Sequence, residues 1–190
     1  MNVYDFDKTI YKYDSSVRFY LFCVKRNKLL LLHSPVQFFY LICYLLKLLS
    51  TKQYKQKSYT FLKYIKNINK TVTLFWDQEE ENIESWYLQV KQPSDVVISA
   101  SPQFLLAPIC KRLQVGSLIG TDMDERSGQI WGENCKGKEK VVRFRQEFPA
   151  ATIDKFYSDS LSDQPMADLA KESYMVKRGV RQVWKNARNR

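Results

Sequence analysis

A chain of 190 residues, 45% hydrophobic and 26% charged, holds enough apolar mass for one globular domain with a sizeable insertion, and too little for two equal domains. Six glycines and six prolines exclude collagen-like and low-complexity classes. Thirty Lys and Arg against twenty Asp and Glu give a net charge of +10, so the surface attracts anions, be they phosphorylated metabolites, acidic lipid headgroups or nucleic acid.

The opening residues, Asn2 to Phe6, read as a short strand running into Asp7. From Ser15 to Trp86 the pattern turns helical, in the pieces SSVRFYLFCVKRNKLLLL, PVQFFYLICYLLKLLS, KQKSYTFLKYIKNI and DQEEENIESWYLQ. After Pro93 the texture changes. The uncharged run Val96-Val97-Ile98, closed by Ser99-Ala100-Ser101-Pro102, suits a strand buried on both faces of a parallel sheet. There follow a helix, PQFLLAPICKRL, a strand, SLIGTDM, and a turn-rich piece, DERSGQIWGENCKG, with the look of a hairpin. A helix KEKVVRFRQEF, a strand TIDKFYSDS and a helix MADLAKESY complete the alternation. It predicts an α/β fold: a Rossmann-like parallel sheet core with helices on both faces and an inserted α-helical cap. The expected division is 1–14 and 91–190 for the α/β core and 15–90 for the inserted helical block. The basic end, Lys177 to Arg190, reads as a solvated tail, with attraction to a membrane surface as the alternative.

Leu29 to Leu46 is eighteen residues without formal charge, the lower bound for a membrane span. His33, Ser34, Pro35 and Gln37 interrupt it, and Pro35 suits the start of a helix rather than its interior. A single crossing would also part Asp5 from the later sheet. The stretch is therefore expected as a helix buried between neighbours or sunk in a membrane interface. Phe19, Tyr20, Phe22, Phe38, Phe39 and Tyr40 read as cap core. Lys25, Arg26, Lys28, Lys47, Lys52, Lys55 and Lys57 flank the apolar run, so the cap is expected either to form a homodimer seam or to rest peripherally on anionic membrane. Four scattered cysteines without a C-x-x-C suit reduced thiols, and the expected location is the cytoplasm, with the inner face of the membrane as the alternative. His33, alone in a Leu-rich stretch, does not suit a catalytic base. No recognisable nucleic-acid motif is present, so no nucleic-acid partner is expected.

Four pieces fall at the ends of predicted strands: Asp5 and Asp7, Ser99, the lysines at 136, 138 and 140, and Asp159 with Asp163. Ligands of open parallel sheets bind outside those carboxyl ends. Aspartates converging there repel one another unless a hard cation neutralises them, and an all-oxygen site suits Mg2+. Lysine and serine beside them suit a phosphate, which together describes a phosphoryl-transfer site.

These residues resemble the haloacid dehalogenase superfamily of phosphatases, in which D-x-D-x-T is followed by a hydrophobic strand ending in Ser or Thr, a Lys, and an acidic pair. Here the motifs are DFDKT, VVISAS, CKGKEK and YSDSLSD, in that order. The helical block resembles the cap of the phosphoserine phosphatase-like branch, and C-x-G-x-E-K in Cys135 to Lys140 looks like the branch containing lipid phosphatases of the phosphatidylglycerophosphate type. The resemblance implies a Mg2+-dependent phosphomonoester hydrolase acting through an aspartyl-phosphate. Asp5 would be its nucleophile and Asp7 its general acid and base. It further implies phosphate contacts from Thr9, Ser99, Ala100 and Lys136 or Lys140, a metal held by Asp5, Asp7 and Asp159, and support from Ser160 and Asp163. Cation-pumping ATPases of the same superfamily use the aspartate before Lys-Thr, which would select Asp7, but their motif continues Gly-Thr where Ile10-Tyr11 stands here. Lys8 departs from the Gly or Ser usual in the phosphatases. Ser101 and Asp163 could equally cap the helices that follow them. The implied substrate is a small phosphorylated metabolite such as phosphoserine, or a lipid phosphate. The alternative is a phospho-accepting signalling or binding module that does not turn over.

Overall fold

The computed structural model describes residues 1–185. Strands β1 (Asn2–Tyr4), β2 (Val96–Pro102), β3 (Ser117–Thr121), β4 (Ile153–Ser158), β5 (Ala170–Lys177) and β6 (Val180–Val183) form one sheet in the order β3-β2-β1-β4-β5-β6. The first five are parallel and β6 returns antiparallel to β5. Central β1 is short, with Val3 set opposite Val96 and Phe156, and Tyr4 opposite Val97 and Tyr157. Neighbouring residues of a strand point to opposite faces, so Val3, Val96, Ile98 and Phe156 feed one apolar cluster while Tyr4, Val97 and Tyr157 feed the other. From β1 the chain departs toward β2, and from β4 toward β5, so the carboxyl ends of these adjacent strands diverge and leave a crevice.

Between β1 and β2 the regular elements are helical: α1 (Ser15–Arg26), a 3-10 turn at Lys28–His33, α2 (Ser34–Leu45), α3 (Thr51–Ser58), a second 3-10 turn at Tyr59–Tyr64, α4 (Ile68–Glu79) and α5 (Ser85–Val90). Local chemistry fixes their starts. The Asp14 carboxylate accepts from Val17 N at 3.0 Å to cap α1, Pro35 enters α2 in its first turn, and Ser50 with Gln53 closes a capping box on α3. After β2 come α6 (Gln103–Arg112), α7 (Lys138–Glu147) and α8 (Gln164–Ala167). The helical block is not detached from the sheet. Trp76 of α4 donates its indole N–H to the Leu105 carbonyl of α6 at 2.7 Å, and Tyr87 of α5 meets the Tyr4 ring edge-on at 5.0 Å.

A buried polar clamp locks the turn after β1 to this block. Glu79, 7% exposed at the end of α4, accepts from the Tyr11 hydroxyl at 2.5 Å, from Arg18 of α1 and from Asn82.

Three expectations fail. MADLAKESY is not a helix: α8 stops at Ala167, and from Ala170 the chain is β5. Val176 is buried in one cluster while Met175 packs on the other, a period of two imposed by pairing with β4 and β6 that overrides local helix propensity. The basic end is not a tail as far as Lys185. Arg178 and Gly179 both have positive φ, the two-residue hairpin conformation, and the returning strand brings Trp184 onto Phe156 at 6.2 Å between ring centres; residues 186–190 of that stretch lie outside the described residues. Phe38 and Phe39 are not core, being 64% and 60% exposed, although Phe19 and Phe22 are. The turn-rich piece does fold back as a short hairpin, with an antiparallel bridge between Met123 and Ile130 flanked by backbone hydrogen bonds from Asp124 N–H to the Gln129 carbonyl and from Trp131 N–H to the Asp122 carbonyl.

Glu79→Ala leaves Tyr11 and Arg18 without their acceptor in a mostly buried setting. Its expected cost is about 2 kcal/mol of unfolding free energy, read from urea titration, with Glu79→Gln intermediate because it keeps an acceptor but not the charge.

Candidate active site

The DFDKT turn arises where β1 runs out. The Phe6 carbonyl accepts from the N–H groups of Thr9, Ile10 and Tyr11 at 3.3, 3.1 and 3.0 Å, folding the chain back. Phe6 is fully buried against Trp76, edge-on at 5.7 Å. Asp5 and Asp7 flank it, and both line a crevice cavity of about 200 Å3. Lys8 takes φ of 56°, a left-handed conformation disfavoured for a side chain with a Cβ, at the place where the phosphatase pattern has Gly or Ser. Thr9 is fully buried in the turn, does not line the cavity, and its hydroxyl makes no hydrogen bond.

Of the three lysines, Lys140 is the one buried among the carboxylates. Gly137, at φ of 60°, launches α7 so that Lys140 falls in its first turn, 2% exposed. The ammonium donates to Asp5 Oδ1 and to Asp163 Oδ2, both at 2.7 Å, and Ser158 Oγ donates to the same Asp163 oxygen at 2.7 Å. Lys136 is exposed at the cavity wall, whereas Lys138 lines none of the cavities described. Asp163 precedes α8 without capping it by its side chain.

Asp7 belongs to a second knot. Its Oδ1 accepts from the Ser15 N–H at the start of α1 at 2.8 Å, and its Oδ2 accepts from Ser101 Oγ at 2.5 Å. Ser15 Oγ in turn donates to Ser101 Oγ at 3.0 Å. Ser101 therefore serves Asp7 rather than capping α6, whose N-terminal residue Pro102 makes no side-chain cap. Ser99, Ala100, Asp159 and Ser160 complete the cavity wall. The Ser99 hydroxyl accepts from the Ser101 N–H at 3.1 Å.

Electrostatics follow from burial. Desolvation raises the Asp5 carboxyl to about 7, with Lys140 pulling it down and Asp163 and Asp7 pushing it up. Desolvation and the Asp14 charge raise Asp7 to about 6, against hydrogen bonds from Ser101 and Ser15. Burial alone would lower Lys140, but Asp5 and Asp163 more than offset it, and the ammonium lies above its ordinary value. Asp159 is raised chiefly by burial. A hard divalent cation fits this donor set in kind: Asp5, Asp7 and Asp159 offer carboxylate oxygens to one cavity, and their desolvation is relieved by positive charge. No three acidic, His or Cys side chains among the described residues already converge as a cage. Mg2+ needs only one or two carboxylates and keeps several waters, so the fit holds.

Lys55 is the functional group that the sequence reading missed, having been grouped with the flanking surface charge. It reaches from α3 to the Ala100 carbonyl and donates to Asn134 Oδ1 at 3.1 Å. Burial lowers it to about 8, with Asp7 and Asp14 pulling it back up. It sits in a neighbouring pocket of about 360 Å3 that shares Asp7, Asp14, Ala100 and Lys136 with the first cavity. Thr51, Tyr54, Lys55, Ser58 and Tyr59 all face that pocket. Their three-and-four spacing was visible in the sequence, but half-polar composition hid it from an apolar scan. Tyr59 is 4% exposed, with its hydroxyl beside Ser16.

The family model described as haloacid dehalogenase-like hydrolase matches residues 3–168. Protein CicA of Caulobacter vibrioides is 36% identical over 91 residues, which is 44% of this chain and 41% of CicA, so the chain matches about two fifths of that relative's length. A protein of unknown function from Bordetella pertussis Tohama I superposes with a TM-score of 0.75 at 20% identity, covering 91% of this chain and 87% of that one. A probable phosphoserine phosphatase from Vibrio cholerae superposes with a TM-score of 0.65 at 10% identity, covering 90% and 55%. At such identities these two likenesses are of fold.

Lys140→Met leaves Asp5 and Asp163 buried without their cation, an expected loss of about 3 kcal/mol at neutral pH. In metal-free buffer the deficit shrinks toward pH 4. A carboxyl held above its unfolded value binds its proton more tightly in the folded chain, so stability is lost as pH rises above 3.8, and the variant's Asp5 lacks the lysine that pulls its carboxyl down. The wild-type lysine, raised above 10.5, keeps its contribution until the solution is more alkaline than that. Denaturant melts across this range check the sign; a deficit independent of pH contradicts the assignment.

Proposed function

The chain belongs to the haloacid dehalogenase-like hydrolases, and from that membership we propose that it is a phosphomonoester hydrolase working through an aspartyl-phosphate on Asp5. The observation that carries the reading is a carboxylate, Asp5, with one oxygen fixed by a buried lysine, sharing one cavity with a second carboxylate, Asp7, two residues on. Lys140 orients Asp5 through Oδ1, and the other carboxylate oxygen attacks phosphorus. As that O–P bond forms, the bond to the leaving oxygen breaks, and the leaving oxygen takes the Asp7 proton, a transfer that the raised Asp7 favours. Asp7, now ionised, removes a proton from water, whose oxygen attacks the phosphoryl group and frees Asp5 and inorganic phosphate. Ser99, Ala100 and Lys136 line the place of the phosphate oxygens. Asp5 and Asp159 would hold Mg2+ by carboxylate oxygens, with Asp7 beside them, and the ion when bound would supply charge neutralisation for the approach of one anion to another.

The division proposed is a core of 1–14 and 91–190 under a helical cap of 15–90, with α4 and α5 as the cap's base on the sheet. The pocket under the cap receives the leaving group. Tyr20, Tyr44, Tyr54, Tyr59 and Phe61 make its wall largely apolar, and Lys55 and Lys136 offer cations, which favours a lipid phosphate or another ester with an apolar leaving group over phosphoserine. The cysteines, all free, suit a reducing cytoplasmic setting.

Purified protein is expected to hydrolyse p-nitrophenyl phosphate with Mg2+ and to lose that turnover in EDTA. Asp5→Asn abolishes turnover with the circular dichroism spectrum unchanged, and Asp7→Asn lowers it by about 10²–10⁴-fold. Unimpaired hydrolysis by the Asp5 variant removes the reading. One phosphate per chain released without further turnover favours the phospho-accepting module instead.

A further inference from the structure

The helical block separates charge as sharply as it separates polarity. Eleven of the thirty Lys and Arg, and none of the twenty Asp and Glu, lie between Ser15 and Trp76, so this segment carries +11 while the rest of the chain is close to neutral. On its outer side, Leu32, Phe38, Phe39, Leu45, Leu46 and Leu48 are each 60–75% exposed. No residue of α2 is buried, and of the eighteen-residue stretch Lys28–Leu45 only 6% is. A core helix does not look like this, and isolated exposed leucines do not form so continuous a face.

We infer that this face docks on an anionic lipid surface, with α2 lying in the plane of the headgroups. Charge selects the occupant. Lys25, Arg26 and Lys28 stand at one end of the apolar face and Lys47 at the other, all exposed and none in an ion pair among the described residues. Two copies joined through this face would bring two such positive rims together, whereas phosphate headgroups neutralise them and the acyl region receives the leucines and phenylalanines. Length and attachment decide against a span. Twelve residues make α2 about 18 Å long, short of a hydrocarbon core of about 30 Å. Both neighbouring helices also return to the same body, α1 through Arg18 to Glu79 and α3 through Lys55 to Ala100. The helix is two-sided: Gln37 and Tyr44, seven residues apart, face the pocket under the cap, while Phe38, Ile42 and Leu45 face outward. Under the proposed hydrolase reading, the docked helix would place that pocket at the membrane surface.

Vesicle binding is read without turnover, so its failure and that of the hydrolase reading are separate outcomes. The full chain is expected to co-sediment with vesicles of equal phosphatidylglycerol and phosphatidylcholine at low salt, and far less with phosphatidylcholine alone. Phe38→Ser with Phe39→Ser, both outside the pocket, lowers the bound fraction by at least about tenfold at unchanged circular dichroism. Replacing Lys25, Lys28 and Lys47 by Ser weakens binding at low salt and removes most of its salt dependence. A wild-type chain that stays in the supernatant with anionic vesicles overturns the inference, as does equal binding by the Phe variant. A dimer in light scattering that ignores vesicles and dissociates in the Phe variant would assign the face to a second copy instead.

Discussion

One ammonium holds the centre of this molecule together. Lys140 sits between Asp5 and Asp163, at 2.7 Å from each and 2% exposed, and through them it joins the end of β1, the first turn of α7 and the segment after β4. Charges taken so far from water are tolerable only when paired and hydrogen-bonded. Each remaining feature of the crevice respects that constraint. Ser158 supplies a donor to Asp163, and Gly137 gives α7 the starting geometry that drops a lysine into the interior. The same pairing fixes one oxygen of Asp5.

The second constraint is how the helical block is held against the crevice. Asp7 accepts from the first N–H of α1 and from Ser101 at the end of β2, so one carboxylate belongs to both the sheet and the block. Lys55 reaches the other way, from α3 to the β2 carbonyl at Ala100. Glu79 closes the far side by gathering Tyr11 and Arg18. The pocket under the block is therefore bounded by polar ties at its base and by tyrosines along its wall, a distribution suited to binding a charged head and an apolar remainder together.

Polarity on the outside of the block follows a different logic. Its inner surface shares the sheet's core, where Phe19, Phe61 and Trp76 are buried, so the apolar residues of α2 are surplus to that packing. They stay exposed in a block that has no acidic residue between Ser15 and Trp76.

The sequence by itself determined the alternation of strands and helices, the insertion after β1, and the order of DFDKT, VVISAS, CKGKEK and YSDSLSD. Those rest on period and local turn chemistry, which a single chain displays. It could not choose among Lys136, Lys138 and Lys140, because all three are cations within five residues and only the launch of α7 at Gly137 decides which one enters the core. Neither could it see Lys55 as part of a pocket, or Ser101 as a partner of Asp7 from 94 residues away, since such pairings exist only once distant segments meet. Ala170 to Tyr174 reads as helix in the sequence for the same reason. Its strand is stabilised by ladders to β4 and β6, and hydrogen bonds between remote segments leave no trace in local propensity.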